Sequence, residues 1–486
     1  MAVIKQNKFT KLFNTYRPVL QKFFEGKLYP LFIALFVFLG HVTALELLFG
    51  TVLLLSVALA LVVCDTVKPF LPALLMVLYI VSVNHTPGVP SNSDYFTRLY
   101  VLIPLACCFI AVIAAAVYFT VKNIAPQFNV KEAPIFISLT VLSAAFLLNG
   151  AFSSGWKFAS LIFGLAEIVM FFLLFYFLYY GLKKEDTKEL LDYICYIALL
   201  ASAVLVAEMV FLFITNDKLI SESGSIIKEE VYLGWATCNP MGFSLGVIIP
   251  LLMRGAMVSK YRLVYLGATL ATWVSMVLTM SRNALIFGTL ALGVSFIIGA
   301  FFGPKESRTL FRVILALGAV AAVLGAIVLW DKISGLLADV LSRGFDNNGR
   351  FEIWKSSWEN FKKSPIFGRG FFDWGEMEAY ESAPFIPTMS HNTLFQLLSS
   401  MGIFGTLAYG YYRFKTAAPF IKNFSFDKAM LMLPILYTMG ASLLDTFIFS
   451  FHTAFVYTVA LAIAFKMKDD DTVKMLSRDS AQNSEQ

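Results

Sequence analysis

The sequence predicts an all-α polytopic membrane protein with about 12–14 transmembrane helices. Of its 486 residues, 58% are hydrophobic and 14% are charged, whereas a soluble domain carries about 25% charged residues. Mean hydropathy is +0.73, and the 48 Phe residues add to the apolar surface. This composition excludes a soluble enzyme, a disordered chain and a secreted disulfide scaffold.

Apolar runs mark the predicted transmembrane helices, since about 20 apolar residues span about 30 Å of hydrocarbon. About fourteen runs are candidates, and the shorter ones are predicted to be tilted or half-membrane segments. They lie near 28–41, 45–64, 70–84, 99–121, 134–151, 158–181, 190–214, 240–253, 263–280, 283–303, 309–330, 392–412, 429–444 and 446–465. The five cysteines have no paired or metal-ligand spacing and are predicted to be core residues.

Lys and Arg are distributed unevenly between the two sides of the membrane. With a cytoplasmic N-terminus, the inner segments hold 26 of the 38 basic residues, the short outer loops hold five, and the other seven lie in one long outer loop, to which the positive-inside rule does not apply. This asymmetry predicts that both termini are cytoplasmic. The predicted organisation is a basic N-terminal segment (1–27), transmembrane helices 1–11 (28–330), an extracytoplasmic loop (331–391), transmembrane helices 12–14 (392–466) and a cytoplasmic tail (467–486).

The outer loop at 331–391 is predicted to hold the chemistry, because a long insertion among short connections is usually functional. Asp346, Asn347 and Asn348 are good N-caps and predict a helix that starts near Arg350 and runs to Lys363. Trp354 and Trp358 fall on one face of this helix. Two placements follow. The helix lies at headgroup level with Arg350 at its positive end, or it packs on the protein with Arg350 solvated.

Three further features of this loop are candidates for function. Gly368-Arg369-Gly370 either lets the backbone approach a ligand beside a guanidinium or forms a plain turn. The segment 373–381 is acidic and aromatic. His391 lies at the mouth of the next span, where an imidazole is suited to act as a general base.

Several charged residues lie within or at the ends of the predicted spans. Arg282 ends the ninth span and either snorkels to the interface or faces an anionic headgroup. Glu167, Glu208 and Asp445 are costly in hydrocarbon unless they are paired or face water. They indicate a proton path or, as we favour, structural pairing that includes orienting an arginine.

Taken together, these residues resemble the O-antigen ligase/polymerase superfamily of bacterial surface glycan assembly. His391-Asn392, nine residues, Gly402, two residues and Gly405 are similar to the family signature. Weaker elements stand before it in the expected order: Gly234 to Asn239-Pro240, Ser281-Arg282, Gly349-Arg350 with Trp354, and Ser364 to Gly370. The resemblance covers roughly residues 230–410. The fourteen apparent spans exceed the family's usual number, and the loop at 331–391 is compact.

The resemblance implies a GT-C-like inverting glycosyltransferase of the bacterial inner membrane, with its active site on the outer face. The donor would be an oligosaccharide on undecaprenyl pyrophosphate, transferred en bloc to a glycan or lipid-linked glycan acceptor, without cofactor, metal or nucleotide sugar. A flippase, a chain-length regulator and membrane lipids are the other implied partners; nucleic acid is not one.

The resemblance also implies roles for individual residues of this chain. His391 would deprotonate the acceptor hydroxyl, and Arg282, Arg350 and Arg369 would hold the pyrophosphate. Asn392, Gly402 and Gly405 would be motif residues. Trp354 and Trp358 would belong to the interfacial helix.

The acceptor stays open at this point. A polymerase would extend the glycan on the next lipid-linked repeat, as in O-antigen, capsule or exopolysaccharide synthesis, whereas a ligase would hand the finished glycan to a different carrier. We lean to a polymerase on prevalence alone. A transporter or flippase for the same lipid-linked glycan is the alternative from another functional class, although the sequence has no clear internal repeat to support it. A structural scaffold whose arginines bind lipid is the third possibility.

Overall fold

The computed structural model describes residues 8–82, 98–222, 224–328, 349–373, 389–421 and 424–484. It is 78% helical with almost no strands, which confirms the all-α fold class. The α-helices are α1 (Lys8–Glu25), α2 (Leu28–Thr43), α3 (Glu46–Val63), α4 (Phe70–Met76), α5 (Leu99–Phe119), α6 (Phe136–Leu147), α7 (Phe158–Ile168), α8 (Leu174–Gly181), α9 (Thr187–Thr215), α10 (Cys238–Val258), α11 (Arg262–Leu278), α12 (Arg282–Phe302), α13 (Lys305–Val328), α14 (Arg350–Lys363), α15 (Thr393–Thr416), α16 (Ala418–Ile421), α17 (Phe426–Ala441) and α18 (Phe451–Ser484).

Short irregular elements extend or connect these helices. The 3-10 helices are Val77–Ile80, Ala125–Gln127, Lys228–Glu230 and Phe447–Phe449, and the π-helices are Thr120–Ile124 and Val169–Leu173. Two short strands, β1 (Tyr232–Leu233) and β2 (Ala236–Thr237), pair antiparallel with Tyr232 opposite Thr237. All five cysteines are free, but the predicted core position holds for Cys64, Cys108 and Cys195 and is wrong for Cys107, which is exposed; Cys238 is partly buried.

The helices identify a multi-pass membrane protein. Within the described residues, seven helical segments are long and apolar enough to cross a membrane: Glu46–Val63, Leu99–Gln127, Phe158–Gly181, Thr187–Thr215, Cys238–Val258, Arg282–Phe302 and Lys305–Gly325. Thr15–Glu25 and Leu28–Thr43 form an eighth if this pair, bent by 69°, is one span. The other predicted spans also coincide with helices, but these are shorter or more polar. The count of about 12–14 crossings therefore stays a prediction.

Helix α10 lies at the centre of the bundle. Its apolar window is 94% buried inside the protein, whereas that of α13 is 6% buried and lies at the periphery. α10 contacts α9, α11, α12, α17 and α18. A helix buried on all sides packs closely, and a Cβ at Gly246 would clash with the Tyr437 hydroxyl. Helices α12 and α17, which both contact α10, lead to the candidate site.

Ion pairs hold the end of the bundle at which α17 begins. The Arg254 side chain is 2% exposed and donates to Asp427 at 2.8 Å and to Asp192 at 2.9 Å. Lys428, whose side chain is 1% exposed, pairs with Asp471 at 2.7 Å. Buried charges need such partners, because an unpaired ion in a low-dielectric interior is very costly. These pairs fix α17 at its first turn, and the candidate site lies at its other end, about 24 Å along the helix.

Candidate active site

His391 forms a hydrogen-bonded pair with Asp445. The Nδ1 atom of His391 lies 3.0 Å from Oδ1 of Asp445, which also accepts a hydrogen bond from the backbone N–H of Thr446 at 2.8 Å. The Asp445 side chain is 9% exposed and the His391 side chain is 33% exposed. Within the described part of the chain, Nε2 of His391 has no hydrogen-bond partner. One imidazole nitrogen is therefore held by a carboxylate and the other is left unpaired by the described residues, an arrangement that suits a general base.

Asn392 follows His391 in the chain and precedes the first residue of α15. Its side-chain oxygen accepts hydrogen bonds from the backbone N–H groups of Leu394 at 2.8 Å and Phe395 at 3.2 Å. Its Nδ2 donates to the carbonyl of Leu443 at 2.9 Å. The predicted motif residue is thus an N-cap that also links α15 to the segment preceding Asp445.

Hydrogen bonds to the end of α17 bring the first turns of α12 and α15 together. The backbone N–H of Thr393 donates to the carbonyl of Ser442 at 2.9 Å. The side chain of Asn283 donates to the carbonyl of the preceding residue, Ala441, at 2.8 Å. Because Asn283 directly follows Arg282, this arginine lies at the same end of the bundle as the candidate base.

Helix α14 packs against α15 and the residues that precede it through a largely polar face. The Trp354 indole stacks on Phe395 with ring centroids 5.4 Å apart, and Ser357 and Asn360 are buried. Trp358, in contrast, is 44% exposed. Trp354 thus contacts the protein and Trp358 is exposed, and the placement of their helix at the membrane interface stays a prediction.

Arg282 and Arg350 are the first residues of α12 and α14. Neither guanidinium forms a hydrogen bond or an ion pair with any residue that the structure describes. The first N–H groups of a helix and its dipole both favour an anion, so each arginine adds its charge to an N-terminus that already suits one. The residue before Arg350 is Gly349, with φ of 77°; the predicted caps Asp346, Asn347 and Asn348 lie outside the described residues.

Arg369 differs from the other two arginines because it already has an anionic partner. Its Nε donates to Oδ2 of Asp373, and the two side chains are 16% and 9% exposed. A Cβ at Gly155 would clash with that Asp373 oxygen, so the turn between α6 and α7 closes over the pair. Of the acidic segment 373–381, Asp373 is described and the other acidic residues lie outside the described residues.

The segment from Pro365 to Gly370, which we call the strap, pairs through its backbone with α15. The N–H groups of Arg369 and Gly370 donate to the carbonyls of Ser399 at 2.8 Å and Ser400 at 3.0 Å. In return, the carbonyls of Pro365 and Ile366 accept from the N–H groups of Ile403 at 2.8 Å and Phe404 at 3.1 Å. The strap therefore satisfies backbone groups on both sides of a break in α15.

The break in α15 explains the first glycine of the signature. Gly402 has φ of 65° and ψ of −163°, a conformation that is essentially restricted to glycine. A Cβ at this position would clash with the carbonyl oxygen of Ile366 in the strap. Gly405 lies in the following turn, where a Cβ would clash with the Cβ of Met401. The signature glycines thus allow the strap and the broken helix to pack together.

We expect Gly402→Ala to destabilise the protein strongly. The strained backbone alone costs about 1–3 kcal/mol, and the clash with Ile366 adds to that cost. Gly410→Ala, in the same helix with open space around its Cβ, is the matched control and should be neutral or slightly stabilising. Thermal unfolding in detergent, followed by size-exclusion chromatography, checks both. Equal melting temperatures for the two variants would contradict the assignment.

The three predicted intramembrane carboxylates have different surroundings. Asp445 pairs with His391. Glu208 accepts a hydrogen bond from the Trp235 indole at 2.9 Å, which fastens the β1–β2 hairpin to α9. Neither carboxylate oxygen of the buried Glu167 has a hydrogen-bond partner among the described residues. None of the three contacts an arginine in the described part of the chain, and Asp445 holds a histidine instead.

Sequence reasoning missed the role of Asp445. It lies 54 positions after His391, and nothing in the sequence indicates that the two side chains meet. The available signal was its position at the edge of a span, where a carboxylate needs a partner. The role of Trp354 was missed as well, because an amphipathic pattern does not say which aromatic residue packs inward.

Comparison with known proteins agrees with this geometry. Residues 267–410 match the family model described as O-antigen ligase. The match includes the three arginines, His391 and both signature glycines, whereas Gly234 to Pro240 and Asp445 lie outside it. No significant match was found among curated proteins. With the helical fold and the site at the start of α15, this match supports the resemblance of the chain to the O-antigen ligase/polymerase superfamily.

Proposed function

We propose that this chain is a membrane glycosyltransferase that transfers an oligosaccharide en bloc from undecaprenyl pyrophosphate to a glycan acceptor. The observation that carries the proposal is the His391–Asp445 pair, which lies at the same end of the bundle as Arg282 and whose Nε2 has no partner among the described residues. The family match supports an O-antigen ligase/polymerase-type function in general. The donor, the acceptor and the inverting reaction go beyond that match.

In the proposed reaction, Nε2 of His391 takes the proton from the acceptor hydroxyl. The acceptor oxygen attacks the anomeric carbon of the donor from the face opposite the pyrophosphate, so the configuration inverts. The bond between the anomeric carbon and the pyrophosphate oxygen breaks, and undecaprenyl pyrophosphate leaves with the electron pair. Asp445 orients the imidazole and stabilises the imidazolium that forms, as a carboxylate does when it holds a catalytic histidine.

Arg282 and Arg350 are proposed to hold the pyrophosphate. The leaving group carries its own negative charge and needs fixed positive charge rather than a proton. A guanidinium suits this task, because its planar fork binds phosphate oxygens bidentately and stays protonated. Both side chains lack partners among the described residues, so they can meet the donor without first breaking an ion pair with any of those residues.

The proposed placement in the membrane follows from charge and exposure. The Lys and Arg distribution favours cytoplasmic termini with the His391 end on the outer face, and the family resemblance implies that the membrane is the bacterial inner membrane. Phe351 is 53% exposed and Trp358 is 44% exposed on α14. Exposed aromatic side chains on a basic helix suit the headgroup region. We propose that this surface of α14 contacts the outer leaflet, where the lipid-linked donor lies.

An assay with purified protein tests the proposed function. The protein in detergent receives undecaprenyl-pyrophosphate oligosaccharide in the presence of a metal chelator, and the products are analysed by gel electrophoresis. A ladder of lengthening products from donor alone establishes a polymerase. Transfer only after a different acceptor is added establishes a ligase. The proposal is overturned if neither condition gives product while liposomes containing the protein translocate the lipid-linked glycan.

We expect Arg369→Gln to lower stability, because it removes the guanidinium partner of the Asp373 carboxylate at low exposure. Removing one partner of a buried pair costs about 3–5 kcal/mol. The double variant with Asp373→Asn should recover much of that loss. Thermal unfolding and donor affinity are measured for the single and double variants. If stability recovers but donor affinity stays low, Arg369 is a third pyrophosphate ligand, as the family resemblance implies; if both recover, its role is structural.

A further inference from the structure

We propose that Trp354 is a positioning residue that sets the orientation of His391, and that it links this base to the helix of Arg350. The inference rests on the proposed function, since it gives His391 and Arg350 the roles assigned above. It adds a residue whose indole N–H acts through the backbone beside the base and not on the substrate.

The backbone of His391 needs external support. Its φ is 47°, in the left-handed region that residues other than glycine seldom adopt. Such a conformation persists only where the surrounding structure determines it, and it is found at active sites more often than elsewhere. The torsion φ of His391 is defined by the orientation of the peptide group that joins Ser390 to His391. Whatever holds that peptide group therefore also directs the imidazole.

Trp354 holds this peptide group directly. Its indole Nε1 donates to the carbonyl of Ser390 at 2.9 Å. Stacking on Phe395, with ring planes 13° apart, keeps the indole in place. Ser390 is 3% exposed, so water does not readily replace the indole as the donor to its carbonyl. The hydrogen bond is thus the direct constraint on the peptide group before the base.

Ser390 is held at its other polar groups as well. Its N–H donates to Oε1 of Gln396 at 2.8 Å, and its hydroxyl lies 2.9 Å from the Ser357 hydroxyl. Gln396 in turn donates to the Ser400 hydroxyl at 2.8 Å. This network joins α14 to α15 around one buried serine, and a fully satisfied buried network is rigid.

The same helix carries Arg350 one turn before Trp354, about 6 Å along the axis. Trp354 thus connects the helix that carries Arg350 to the peptide group before the base.

The test compares Trp354→Phe with Trp273→Phe. Phenylalanine keeps an aromatic ring on Phe395 but cannot donate to Ser390. Trp273 provides the matched control, because its indole also donates one hydrogen bond, to Thr289 at 3.0 Å, away from His391. We expect Trp354→Phe to lower kcat about tenfold to hundredfold with little change in donor KM, and Trp273→Phe to leave both near wild type. Thermal unfolding is measured for each.

A second measurement does not depend on transfer activity. Diethyl pyrocarbonate modifies exposed imidazole nitrogens, and mass spectrometry gives the rate at His391 as a function of pH without any substrate. We expect Trp354→Phe to change that profile and Trp273→Phe to leave it unchanged. An unchanged profile and kcat in Trp354→Phe, or a loss of kcat explained by lower thermal stability alone, overturns the proposal. If the wild-type protein transfers no glycan, the proposed function fails, but the labelling profile still decides whether Trp354 positions His391.

Discussion

Replacing His391 with alanine or asparagine should abolish glycan transfer while leaving expression and membrane insertion intact. Loss of a general base costs about 10²–10⁴-fold in rate. Asparagine is the more informative variant, because it tolerates the left-handed backbone that His391 adopts. The measurement is glycan transfer by purified protein, together with glycan length and amount in cells.

Asp445→Asn serves as the graded comparison for this prediction. The amide can still hydrogen-bond to His391, but it stabilises the imidazolium less well than a carboxylate does. We therefore expect a loss smaller than that of His391→Asn. Normal glycan length and amount in cells that carry His391→Asn would rule out the general-base role.

Replacing Arg282 or Arg350 with alanine should weaken donor binding and slow transfer. Removing one group that stabilises the developing charge costs about 10²–10³-fold. Lysine at either position should restore little of the donor binding or transfer, because an ammonium group cannot bind phosphate bidentately. Binding of a labelled lipid-linked donor and kcat/KM for transfer are measured for each variant.

Lys355→Ala is the matched control for the Arg350 variant. Lys355 is exposed on the same helix, so its removal changes the net charge of α14 by the same amount without touching the first residue of the helix. Its donor affinity should stay near wild type. Wild-type donor affinity in both arginine variants would contradict the pyrophosphate role. An equal loss of donor affinity in Lys355→Ala would show that Arg350 attracts the donor only through its charge and does not bind the pyrophosphate specifically.

Much of the fold could be predicted from the sequence, because bilayer-spanning helices are local features. Each apolar run coincides with a helix, and the helix predicted near Arg350 begins at that residue. The position of His391 at the start of a helix could also be predicted, because the next residue, Asn392, is a good N-cap. These features depend on composition and on spacings within one helix.

The remaining features depend on contacts between distant parts of the chain. Asp445 reaches His391 only because α17 ends beside the start of α15. The break at Gly402 was not predicted, since a glycine in an apolar run is compatible with a continuous helix. The break accommodates the strap, which lies in a separate loop earlier in the chain and leaves no mark on the hydropathy of α15.

The backbone pairing of the strap limits which substitutions, insertions and deletions this segment tolerates. It binds α15 through main-chain groups, with two N–H donors and two carbonyl acceptors that match Ser399, Ser400, Ile403 and Phe404 in a fixed order. Side chains do not take part in that pairing. Substitutions at Ile366 or Phe367 therefore leave the pairing possible, whereas a one-residue insertion or deletion between Pro365 and Gly370 shifts the partners out of register. At Ile366 and Phe367, spacing is therefore the more stringent constraint and residue identity the weaker one, whereas Gly368 and Gly370, with φ of 67° and 88°, leave no room for a Cβ.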